Sequence, residues 1–140
     1  MTASAMNPCL THVALFVADV ERTIDFYRRY CGLHVVHDRV DGGVRVVWLS
    51  ERPQDPTFVI VAIRLPPGAA TAPPRMAHLG YAVGSRAAVD DVAARARADG
   101  VLTQEPADGG RIVGYYCILA DPDGNLVEFS HGQAINPRQL

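Results

Sequence analysis

Displacing the chain by 66 residues lays His12 on His78, Asp19 on Ser85 and Asp55-Pro56 on Asp121-Pro122. A repeat of this length constrains the architecture more than any single motif, because each copy must build the same supersecondary unit. In the first copy, "CLTHVALFV" alternates as a strand and "ADVERTIDFYRRYCG" follows as a helix. Asp19 is placed to cap that helix, Ile24, Tyr27 and Cys31 mark its inner stripe, and Gly32 closes it. Three strands come next, "LHVVHDRV", "VRVVWLS" and "TFVIVAIRL", with "DGG" as the hairpin signal between the first two. The second copy repeats the order: strand "MAHLGYAV", helix "SRAAVDDVAARARADG" with Ser85 as cap and Gly100 as stop, then strands "VLTQEP", "RIVGYYCILA" and "NLVEFSH". Between the copies "PPGAATAPPR" holds four prolines and a glycine, the composition of a linker. The pattern predicts an α+β chain, 1–140, of two βαβββ modules. They span 8–65 and 76–132, joined by the linker 66–75 and followed by a tail, 133–140.

A carboxylate disturbs the pattern. In "ADPDGNLVEFSHG" the segment Asp121 to Gly124 is a turn, and the strand after it puts Leu126, Glu128 and Ser130 on one face. That face points inward, yet an unmatched carboxylate in a core costs several kcal/mol or takes up a proton. His12 lies on a strand face with Leu10, Ala14 and Phe16, and His78 on one with Met76, Gly80 and Ala82. Both histidines are thus inward candidates at matching positions, with small residues beside them. Position 62, 66 residues before Glu128, is Ala62 beside Val61, and neither ligates a metal.

Composition excludes several other classes. The 140 residues are 49% hydrophobic and 20% charged with a net charge of -2, so no basic footprint for nucleic acid is present. No apolar run reaches the roughly 18 residues a bilayer span needs. The first ten residues lack the basic and apolar regions of a secretion signal. Cys9, Cys31 and Cys117 form no paired framework and read as reduced thiols, which points to the cytoplasm.

The segments "LTHVALFVADVERTIDFYRRYCGL", "MAHLGYAV" before a helix, and "DPDGNLVEF" together resemble the vicinal oxygen chelate superfamily of glyoxalases, bleomycin-binding proteins and extradiol dioxygenases. The resemblance covers nearly the whole chain. It implies that the two modules curl into an open mixed β-sheet barrel with helices outside, around a divalent metal. Carried over by position, the ligands are His12, His78 and Glu128. Two imidazoles and a carboxylate with open positions opposite suit Fe(II), Mn(II), Ni(II) or Zn(II), with Fe(II) favoured.

Departures from subfamily patterns sort the chemistries. The "FVIVAI" region lacks the fourth ligand, a glutamate, of glyoxalase I. Ala14 stands where fosfomycin transferases carry a threonine, and the chain contains no lysine. The three-ligand set is that of a non-haem Fe(II) extradiol dioxygenase acting on a catechol-like substrate that chelates through two oxygens. Its usual tyrosine is replaced by Ile118, with Tyr116 two residues earlier on the same face as the substitute. Tyr116 and His131 are the catalytic candidates, with Arg75 as a further polar group; His34 and His37 read as solvated. A lyase or epimerase using the metal as a Lewis acid is one alternative, and a drug- or metabolite-binding protein without turnover another. The resemblance also implies a small-molecule substrate and a homodimer, in some members with exchanged modules.

Overall fold

Helix α1 (Val20–Cys31) begins where Asp19, in extended backbone, accepts a hydrogen bond from Arg22 N at 3.1 Å. It ends where Gly32 takes a left-handed φ of 64° and donates its N–H to the Arg28 carbonyl. The sequence-read caps are therefore the caps used. The computed structural model describes residue 10 and residues 12–69 and 77–134. Arg75, Met76, Cys9, positions 70–75 of the linker and tail positions 135–140 lie outside the described residues. The chain divides into two units, Met1–Thr71 and Ala72–Leu140.

In the first unit, β1 (His12–Val17), β2 (His34–Asp41), β3 (Val44–Ser50) and β4 (Val59–Arg64) form an open sheet in the order β1-β4-β3-β2. β1 runs parallel to β4, and the other pairs are antiparallel. The β2–β3 hairpin turns on Gly42 and Gly43, with φ of 54° and 82°, the two positive values a type I′ turn demands. Direct cross-strand partners share a face, so Ala62, Val47 and Val17, all 0% exposed, sit on the α1 side with Leu49 and Ile60. Val20, Ile24, Phe26 and Tyr27 of α1 are buried to match. His12, Ala14, Trp48 and Val61 belong to the opposite face.

The second unit repeats this design with β5 (His78–Ala82), α2 (Arg86–Asp99), β6 (Leu102–Asp108), β7 (Tyr115–Ala120) and β8 (Leu126–His131) in the order β5-β8-β7-β6. Ser85 caps α2 by accepting from Ala88 N at 3.0 Å, and Gly100 closes it. The Cys117 thiol lies 3.9 Å from the Val89 carbonyl and the Tyr115 hydroxyl donates to Asp90, so α2 covers the face that carries Tyr115 and Cys117. This is the α+β pair of βαβββ modules expected from the repeat.

One element departs from expectation. "RIVGYYCILA" is not a single strand, because Gly110–Val113 form a short helix, α3, and β7 starts only at Tyr115. Gly114 separates them with φ 79° and ψ −166°, a region open essentially to glycine alone. A Cβ there would collide with the His131 carbonyl oxygen. The chain needs a bare backbone at that corner for β7 to approach the end of β8.

Candidate functional site in the two sheets

Glu128 is delivered by a tightly bonded turn. Asp121 Oδ1 accepts from the backbone N–H groups of Asp123 and Asn125, each at 2.9 Å, and Oδ2 accepts from the Asn125 side-chain amide. Gly124 supplies φ 84° and Asp121 N donates to the Asn125 carbonyl. The chain therefore enters β8 in one register, with Glu128 opposite Gly80 of β5 and Ile118 of β7. That face points away from α2, and Glu128 is nonetheless only 6% exposed.

His78 stands beside the carboxylate. Its Nε2 lies 3.8 Å from Glu128 Oε2, on the neighbouring parallel strand. This is beyond hydrogen-bond reach. It is within the roughly 4.2 Å that two metal–ligand bonds of about 2.1 Å can bridge. An imidazole and a carboxylate so spaced fit a divalent ion by their chemistry. Gly80 keeps the adjacent space open, since a Cβ there would stand 3.6 Å from Oε2.

Tyr116 shares this face. It pairs directly with Ser130, while Ile118 pairs with Glu128, so Tyr116 stands one row along from the carboxylate. Its neighbour Tyr115 is committed to the helix side, donating to Asp90 at 2.5 Å with the Arg86 guanidinium 4.0 Å above its ring. His131 does not join the site. It ends β8 on the α2 side, opposite Tyr115, with its ring Nδ1 3.2 Å from the Val83 carbonyl oxygen. A carbonyl only accepts, so the ring proton sits there and holds the strand end in place.

His12 occupies the matching place in the first sheet, but the match to Glu128 shifts by one. Ala14 pairs with Val61 as Gly80 pairs with Glu128, so Val61 and not Ala62 is the counterpart of the carboxylate. Ala62 faces α1. Val61 is apolar, so no carboxylate stands opposite Ala14. Among the described residues, no three His, Cys, Asp or Glu side chains are gathered closely enough to hold one ion.

The first sheet carries something the sequence did not reveal. Over the face opposite α1 lies a cavity of about 510 Å³ bounded by His12, Ala14, Val61, Trp48, Phe58 and Arg39. The His37 ring lies 4.9 Å from that of Trp48, so His37 packs as well as meeting solvent. Arg39 joins this face only after an irregularity between Val35 and His37 that breaks the alternation of β2. Strict period-two reading assigns faces only where the ladder is regular.

Elsewhere, burial pushes the Cys117 thiol up to about 11, helped by the carboxylates of Asp90, Glu105 and Glu128. No helix among the described residues is long and apolar enough to cross a membrane.

Two βαβββ modules, each offering a first-strand histidine on the face away from its helix, define a class, and the comparisons identify it. Residues 10–129 match the model of the Glyoxalase/Bleomycin resistance protein/Dioxygenase superfamily. The chain belongs to that superfamily. It is 46% identical over 132 residues to an uncharacterized protein of Pseudomonas aeruginosa, covering 94% of both chains. Its fold is similar to that of glyoxalase I from Leishmania major, with TM-score 0.76, 19% identity and 95% and 93% of the two chains covered. A fosfomycin resistance protein from Listeria monocytogenes, solved with Mn(II), matches with TM-score 0.75 at 20% identity, covering 96% of this chain and all of that one. At these identities the structural likeness establishes the fold alone.

Proposed function

We propose that the protein is a divalent-metal enzyme in which His78 and Glu128 of the second module and His12 of a first module hold the ion. The observation that carries this reading is the nearly buried Glu128 carboxylate with the His78 imidazole 3.8 Å away. His12 completes the set, from the same chain or from a second copy in a homodimer. The buried Cys117 thiol, in no disulfide, fits a reducing cytoplasm.

The reaction we propose is extradiol-type ring cleavage of a catechol-like substrate that binds through two adjacent oxygens. Fe(II) would supply a Lewis-acidic centre with open positions for both reactants. The chain's own residues do the rest. His78 and Glu128, on adjacent strands of one sheet, fix the orientation of the site. Val61, in place of a second carboxylate, keeps the ligand set at three. Tyr116, one row from Glu128, is the hydroxyl placed to give or take the substrate proton. The apolar first-sheet cavity excludes water from the bound ring.

Metal analysis of protein purified without oxygen, followed by oxygen uptake with catechols, tests the reading. One equivalent of iron per chain and catechol-dependent uptake are expected. Activity with Ni(II) or Zn(II) on a 2-oxoaldehyde adduct and none on catechols would replace it with the lyase alternative. A binding protein without turnover is the second reading, favoured by the cavity that the first module builds by itself. Metal-free purification with no turnover would establish it.

A further inference from the structure

From the composition of the first-sheet cavity we infer that its ligand is an aromatic acid: a flat ring set against Trp48 whose carboxylate binds Arg39. The inference deepens the proposed function, on whose placing of His12 in the metal site its orientation rests.

Three features of the cavity carry it. The floor is apolar and made of small or branched residues of β1 and β4, with Ala14 and Val61 among them. A floor of this kind accepts a flat hydrocarbon face and offers no polar atom to it. Trp48 forms a wall; the His37 ring packs 4.9 Å from it, and the indole is still 36% exposed, leaving surface on which a further ring can pack. Arg39 stands over Trp48, with its guanidinium carbon 5.5 Å from the ring centroid. An arginine held on an aromatic face is pre-organised to receive a planar anion in two parallel hydrogen bonds.

Arg39 already has one partner. Its Nε donates to Asp41 at 2.7 Å, and Asp41 is well exposed. This contact fixes the guanidinium plane through Nε and an exposed carboxylate, an interaction worth little by itself. Asp41 occupies only Nε, so a ligand carboxylate can take the terminal nitrogens of the same guanidinium.

The register gives the orientation. His12 and Arg39 lie on the two edge strands of the sheet, and the pairings set them four residues apart along the strand direction. With strands about 4.8 Å apart and a rise of about 3.3 Å per residue, their Cα atoms mark a diagonal of roughly 19 Å across a flat sheet. Imidazole and guanidinium reach inward from its two ends into one cavity. The space between them takes a substituted ring with its oxygen substituents toward His12 and its acid toward Arg39. The volume of about 510 Å³ lies within the ordinary range for small-molecule sites.

Trp48 is the sole tryptophan of the chain, so its fluorescence reports entry of a ring without metal or turnover. The experiment titrates metal-free protein with benzoate, benzyl alcohol and cyclohexanecarboxylate, and then titrates Arg39→Gln and Arg39→Lys. Benzoate is expected to quench Trp48 saturably and to bind at least tenfold more tightly than either benzyl alcohol or cyclohexanecarboxylate. Arg39→Gln should lose that preference over the alcohol, and Arg39→Lys should recover part of it. Circular dichroism checks that both variants are folded, and the lysine variant keeps the test open if the glutamine variant is not. Equal binding of benzoate and benzyl alcohol, or unchanged benzoate binding in folded Arg39→Gln, overturns the inference. Failure of the metal reading has a different signature. Benzoate binding would survive intact, while added Fe(II) or Mn(II) would leave the affinity for 3,4-dihydroxybenzoate no higher than without metal.

Discussion

At the scale of single residues, the proposed metal site is tested at Glu128 and His78. Replacing a ligand should cost more than the roughly 10–100-fold that even supporting residues of metal sites cost. His78→Ala is therefore expected to lower Mn(II) affinity by more than about 100-fold in a dialysis or calorimetric titration, with unchanged circular dichroism. Glu128→Gln separates the metal's contribution from the cost of the carboxylate. Without metal, that variant should be no less stable than the parent, since it removes a charge held at 6% exposure. A lower urea midpoint for the metal-free variant would show that Glu128 is stabilised by protein contacts alone. Cys117 makes the opposite case, a reactive group kept silent. Its thiol is 0% exposed and pushed up to about 11 by burial, so little thiolate forms at neutral pH. Mass spectrometry after brief alkylation should find Cys31 modified well before Cys117, and Cys117 only once urea has opened the second sheet.

At the scale of elements, termini and corners were legible in the sequence to different degrees. Asp19, Ser85, Gly32 and Gly100 carry their signals in residue type alone, because a cap is a local hydrogen bond and a left-handed φ is a local angle. Asp19→Ala or Ser85→Ala should each destabilise the protein by about 1 kcal/mol in urea unfolding. The corner at Gly114 was not legible. Its requirement is set by the His131 carbonyl, contributed from the next strand, and no local pattern in "GGRIVGYY" announces that neighbour. Gly114→Ala should cost about 1–3 kcal/mol through its backbone angles alone. The collision adds to this, and the result should be a lower urea midpoint and exposure of β7 amides to hydrogen exchange. The irregularity of β2 hid Arg39 for a related reason. A ladder that slips between Val35 and His37 moves the face assignment of every later residue, and only the pairing with β3 shows where it lands.

The whole molecule inherits its architecture from the repeat, and the repeat is why the fold was the most legible part. Two copies of one pattern vote together, so His12 and His78 emerged from their shared position, whereas Val61 was misjudged by one place because the loops between strands differ in length. Surface electrostatics act at this scale too. Hydrogen bonds from Arg45 and Arg97 hold the carboxyls of Asp38 and Glu105 below their usual range, and the Gly110 N–H with Arg86 does the same for Asp108. Folded-state values below the unfolded ones give stability that is present above the unfolded value. It is lost as pH falls through the folded one, so unfolding midpoints should drop below about pH 4. Asp38→Asn and Glu105→Gln together should flatten that limb, slightly, because these exposed pairs each contribute little. The proposed metal would supply the larger coupling. An ion that binds only the folded protein stabilises it by about 2.7 kcal/mol at 100 times its dissociation constant. If the ligands come from both modules, that gain must vanish when either module loses its histidine. Thermal unfolding with and without Mn(II) should therefore show an upward shift in the parent protein and none in His78→Ala or in His12→Ala, although these two side chains belong to different sheets. A full shift in His12→Ala would confine the metal to the second module and leave the first as a ligand-binding surface.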